Sequence, residues 1–121
     1  MPRKPILSLD FDGVLHSYTS KWGAADIIPD PPVPGAVAFI LEAVKHFDVQ
    51  VFSTRSHQEG GIDAMREYLA LAGIDRVVLA ELKFPVTKPP AHVTLDDRAI
   101  TFTGNWPSME QLLAFKPWNK R

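Results

Sequence analysis

Short apolar runs bounded by glycine, proline and aspartate alternate along this chain with stretches in which apolar residues recur at three- and four-residue spacing. The first run, Ile6–Leu9, is too short for a helix and stops at Asp10, Asp12 and Gly13, so it reads as a buried strand. Residues 16–34, with Ser, Gly, Asp and a proline cluster at Pro29, Pro31 and Pro32, read as a loop-like insert. Residues 35–47 place Val37, Ile40, Leu41, Val44 and Phe47 at helical spacing. Residues 48–54 read as a second strand carried by Val49, Val51 and Phe52. A second helix over 62–72 buries Met65, Leu69 and Ala72 and stops at Gly73. Residues 77–82 read as a third strand, 85–90 as a loop, 92–95 as a fourth strand, 100–102 as a fifth, and 108–115 as a last helix. This alternation predicts an α/β domain with a central, mainly parallel sheet of about five strands.

Composition narrows the picture. A chain of 121 residues predicts one domain, 1–121, with residues 16–34 as a flap insert. No apolar run approaches the roughly 20 residues that span a bilayer, which argues against a membrane partner. The basic N-terminus is followed within a few residues by aspartates and does not read as a signal peptide. Without cysteine there is no disulfide framework and no thiolate metal site, and a cytoplasmic location is expected. The net charge of −1 gives no general attraction to nucleic acid or membrane.

The candidate chemistry lies at the strand ends. Positions i and i+2 of a strand point the same way, so Asp10 and Asp12 are expected to project together if the extended backbone persists. Carboxylates that close repel unless they share a proton or a cation. Ser53, Thr54 and Arg55 end the second strand, and Asp96 and Asp97 end the fourth. Parallel strands would gather all three clusters on one rim, where open α/β sheets bind ligands. Oxygen-only ligands favour a hard cation, most simply Mg²⁺. Hydroxyl and ammonium groups, the latter from Lys88, suit phosphate oxygens. The combination describes phosphoryl transfer.

Asp10-Phe11-Asp12-Gly13-Val14, Val51-Phe52-Ser53-Thr54-Arg55, Lys88 and Leu95-Asp96-Asp97, in that order, resemble the four motifs of haloacid-dehalogenase (HAD) phosphohydrolases. The resemblance covers essentially the whole chain and implies a Rossmann-like three-layer sandwich. It implies Asp10 as nucleophile and Asp12 as general acid/base whose backbone carbonyl also contacts Mg²⁺. It implies Ser53 and Lys88 on the phosphoryl group, with Lys83 as competitor for the lysine role. Asp96 is the preferred further metal ligand, and Asp97 either assists it or holds Lys88. Thr54 and Arg55 are candidate substrate contacts. No cap insertion is present, so the chain resembles the minimal capless subtype, with some similarity to the phosphatase half of polynucleotide kinase-phosphatases. A phosphorylated small molecule or a nucleic-acid end is the implied substrate, and no protein partner is evident.

Two other readings stay open from sequence: a non-catalytic phosphate- or nucleic-acid-binding regulatory module, and a phosphotransferase on the same fold. Trp22 is expected to pack the flap onto the core, Trp106 and Trp118 to pack the C-terminal segment, and His46 and His92 to be structural.

Overall fold

The computed structural model describes residues 3–120. Its centre is strand β1 (Ile6–Leu9), flanked by β2 (Asp48–Val51) and β3 (Val93–Leu95) in the order β2-β1-β3, all parallel. Leu7 lies level with Val49 and Val93, and Leu9 with Val51 and Leu95, so six apolar side chains share one face. Leu7, Leu9, Val49 and Val51 are buried, whereas Val93 and Leu95 are 45% and 41% exposed. The apolar face of the sheet thus runs out uncovered on β3.

Helix α1 (Ala36–Ala43) buries Ala36, Ile40 and Ala43, and α2 (Gly61–Ala72) buries Gly61, Met65 and Leu69. Ile40, Val44, Met65 and Leu69 join the strands' core cluster as the apolar pattern anticipates, whereas Leu41 is 37% exposed and Val37, Phe47 and Ala72 are only half-buried. Gly73 ends α2 in the left-handed region at φ 119°, a conformation that glycine adopts without a Cβ penalty. A short helix α4 (Met109–Leu113) carries a capping box, with Ser108 accepting from Gln111 N and Gln111 accepting from Ser108 N. A 3₁₀ turn over Trp118–Lys120 closes the described chain. No helix among the described residues is long and apolar enough to cross a membrane.

The α/β class and the parallel sheet hold, but the described residues form three strands, not about five. Residues expected as a third strand instead form helix α3 (Arg76–Glu81). Asp75 is the cause: its carboxylate accepts from Val78 N at 2.9 Å and caps the first turn. The apolar side chains also serve a helix, with Val78 and Leu79 half-buried while Val77 is 73% exposed. Among the described residues, a single parallel bridge, Gln50 to Lys83, extends the sheet beyond β2. The expected strand over 100–102 does not form, and Ile100 and Phe102 are exposed.

The insert over 16–34 is a closed flap. Its two ends are zipped together by Ser17 N to Pro31 O at 3.0 Å and Val33 N to Leu15 O at 2.9 Å. From α2, the Tyr68 hydroxyl donates to Asp30 O at 2.9 Å and pins the base of the flap.

Candidate active site

β1 stops at Leu9, and the chain then folds back sharply. Phe11 N donates to the Asp10 carboxylate at 2.8 Å, the Phe11 ring enters the core, and Gly13 turns the backbone at φ 83°. Asp10 N donates to Leu95 O at 2.9 Å, which fixes Asp10 beside the end of β3. Carboxylate oxygens of Asp10, Asp96 and Asp97 consequently lie within 4.8 Å of one another. Asp97 is held against the Gly13 turn, and a methyl group at Gly13 would overlap its carboxylate. Gly13→Ala is therefore expected to lower stability by about 1–3 kcal/mol, from the left-handed backbone and the displaced Asp97 together, as read by denaturant unfolding.

Burial pushes the Asp10 carboxyl up to about 8, aided by its hydrogen bond with Asp97 and the charge of Asp96. Arg98 Nε lies 4.0 Å from Asp97 Oδ2 at the edge of the cluster. Three carboxylates with no sulfur or imidazole suit Mg²⁺, which takes one or two carboxylates and keeps waters for substrate oxygens. Two results are expected. Between about pH 4 and pH 8 the folded chain holds a proton on Asp10 that the unfolded chain has released, so rising pH favours unfolding through this group. Without Mg²⁺, the melting temperature should fall across that window relative to an Asp10→Asn variant. Mg²⁺ added at pH 7 should expel a proton, detected by calorimetry in buffers of different ionisation enthalpy.

Asp12 does not join this cluster. The extended backbone that would have aligned it with Asp10 ends at Leu9, and its carboxylate turns to the flap side. There Arg55 Nε donates to both Asp12 oxygens at 3.2 and 3.0 Å, and Arg55 Nη2 donates at 3.1 Å. Burial of Asp12 opposes its charge, but the hydrogen bonds from His16 and Arg55 outweigh it and hold the carboxyl below the usual range.

Arg55, read from sequence as a candidate substrate contact, is fully buried. Its Nη1 donates to three flap carbonyls, Ala24 at 2.7 Å, Ala25 at 2.9 Å and Ile27 at 3.1 Å. The Trp22 ring covers the guanidinium at 4.7 Å, so Trp22 packs the flap through a cation–π contact. The guanidinium is engaged throughout within the chain, and Arg55 serves as a clamp between Asp12 and the flap. Gly61 permits this: a side chain there would overlap the Arg55 carbonyl.

His16, read from sequence only as part of the flap, is the second member of the clamp. It is fully buried, its Nδ1 lies 2.8 Å from Asp12 Oδ1, and its Nε2 accepts from Asp30 N at 3.1 Å. This pattern assigns the proton to Nδ1 in the neutral tautomer. Asp30 is buried beside it, and hydrogen bonds from Ser20 hold its carboxyl below the usual range. The spacing of His16 four residues after Asp12 was the available signal.

Ser53 follows β2, on the opposite side of β1 from Asp96 and Asp97. It is buried, and its Oγ accepts from Arg55 N at 3.1 Å, which leaves its O–H to donate elsewhere. Thr54 is exposed. Lys88 is exposed in the loop before β3 and makes no hydrogen bond or ion pair among the described residues. Lys83 instead donates to Asp48 at 3.0 Å, at the N-terminal end of β2 and away from the rim.

The C-terminal turn reaches the same region. Trp118 Nε1 donates to Gly13 O at 2.8 Å, and Asn119 Nδ2 to Ser17 O at 3.1 Å. Trp106, expected to pack this segment, is instead 85% exposed and touches Phe102. His46 is exposed and pairs with Glu42 one helical turn away at 3.0 Å, and His92 is exposed.

No family model matches the chain, and neither a curated protein nor a solved structure matches it at a level that carries an argument.

Proposed function

We propose that this chain is a Mg²⁺-dependent phosphomonoester hydrolase of the HAD type that works through an aspartyl-phosphate on Asp10. The observation that carries the reading is the meeting of Asp10, Asp96 and Asp97 within 4.8 Å at the C-terminal ends of two paired parallel strands, with Ser53 ending the third. Asp10, Asp96 and the carbonyl of Asp12 would hold Mg²⁺, with Asp97 in support. Bound there, the ion would neutralise the carboxylates and the charge on the phosphoryl oxygens.

The chain's own groups divide the rest. An Asp10 oxygen attacks phosphorus in line as the bond to the leaving oxygen breaks. Ser53 O–H donates to a phosphoryl oxygen, and Lys88 approaches from its exposed loop. Water then attacks phosphorus, the Asp10–phosphorus bond breaks, and the Asp12 carboxylate takes the water's proton. Asp12 enters this second half already ionised, as a base must be, although Arg55 and His16 also lower its basicity. Arg55 and His16 stabilise its ionised form, which opposes its acting as an acid toward the leaving oxygen. Aryl phosphates, whose leaving groups depart readily as anions, are therefore expected to turn over faster than alkyl phosphates.

The same clamp favours one rival, a module that binds phosphate without turnover. A screen of aryl phosphates, sugar phosphates, nucleotides and 3′-phosphorylated oligonucleotides, with and without Mg²⁺, separates them. Mg²⁺-dependent phosphate release supports the hydrolase. Binding without release on every substrate supports the module.

A further inference from the structure

The stretch after Asp97 departs from how a single chain treats apolar residues. Ile100, Phe102, Trp106, Met109, Leu112 and Leu113 are between 43% and 87% exposed, and α4 buries no residue. At roughly 150–200 Å² for a fully exposed residue of this size, the six present roughly 600–800 Å². The largest apolar patch on a typical monomer is about 300–600 Å². The whole molecule agrees: its accessible surface is 8054 Å², whereas a compact monomer of 13.5 kDa exposes about 6,500 Å². That excess, about 1,500 Å², is more than the roughly 800 Å² that one subunit buries in a standard-size interface.

We infer that this face is a homodimer interface, on which a second copy of the chain seats its own residues 98–115. Charge decides for a second copy over a nucleic-acid strand. The groove here, about 1090 Å³, is lined by twelve residues of which only Arg98 is charged. A phosphate backbone needs several cations. A near-neutral apolar patch meets its two-fold mate without like-charge repulsion, and closed two-fold dimers are the commonest assemblies. Trp106 and Phe102, with ring centroids 4.7 Å apart, form an aromatic anchor of the kind that dominates such interfaces. The uncovered Val93 and Leu95 lead directly into this segment. The inference does not depend on the phosphoryl-transfer reading.

Sedimentation of the full chain over roughly 10–200 µM tests it, since an interface of this size commonly gives micromolar affinity or better. The expected species has twice the 13.5 kDa mass of the chain. Trp106→Lys and Leu113→Lys should each weaken dimerisation by about 30-fold or more. Both residues are more than four-fifths exposed, so the monomer fold, followed by circular dichroism, should be unchanged. A wild-type chain that stays monomeric throughout, including one that binds a single-stranded oligonucleotide instead, overturns the proposal. A dimer unaffected by both substitutions also overturns it.

Discussion

Asp10→Asn is expected to abolish Mg²⁺-dependent phosphate release, by roughly 10³-fold or more, as removal of a nucleophile does. The same substitution should stabilise the Mg²⁺-free protein above about pH 8. There the wild-type Asp10 has lost the proton that burial, Asp97 and Asp96 made it hold, and three carboxylates face one another. An amide cannot ionise, so the repulsion disappears along with the nucleophile. Opposite signs on activity and stability are the mark of a charged site held together against its own electrostatics. A thermal melt beside an aryl-phosphatase assay reads both. Loss of activity with loss of fold would point to a structural role for Asp10.

Arg55→Ala should have the largest effect on stability. It leaves the Asp12 carboxylate, only 14% exposed, with His16 as its remaining side-chain partner, and breaking a largely buried ion pair from one side costs about 2–4 kcal/mol. It also strips the donor from three flap carbonyls and the cation from Trp22. The flap over 16–34 should then open to proteases while the strands stay protected. Denaturant unfolding gives the first number and limited proteolysis the second. Arg55→Lys keeps the charge but not the forked geometry, and should recover only part of either. A loss below about 1 kcal/mol for Arg55→Ala would mean that the clamp is not formed in solution.

What the sequence disclosed followed strand period and order. The apolar runs before Asp10, Ser53 and Asp96 mark the β1, β2 and β3 ends because a buried strand must be apolar and must stop where polar residues begin. Their parallel pairing then brings Asp10 to Asp96 and Asp97. The run Val77-Val78-Leu79 misled because a short apolar run does not distinguish a strand from a short helix by periodicity. Asp75 carried the deciding signal. The clamp was hidden for a different reason: Arg55 and Asp12 are 43 residues apart, joined across a flap whose path follows from no periodicity. Asp12 itself was misplaced because the i, i+2 rule holds only while the backbone stays extended. The exposed face of residues 98–115 was likewise invisible, since apolar spacing says that a residue wants cover and not which chain supplies it.

The most direct test of the central claim is to mix the protein with an aryl phosphate and Mg²⁺, quench in acid within the turnover time, and reduce with borohydride. An acyl phosphate is converted by the reductant to an alcohol that survives digestion, so mass spectrometry can locate it. The account predicts the modification on the peptide containing Asp10, dependent on substrate, and absent from Asp10→Asn. Phosphate release with an unmodified Asp10, or with the modification at Asp12, Asp96 or Asp97, would contradict it.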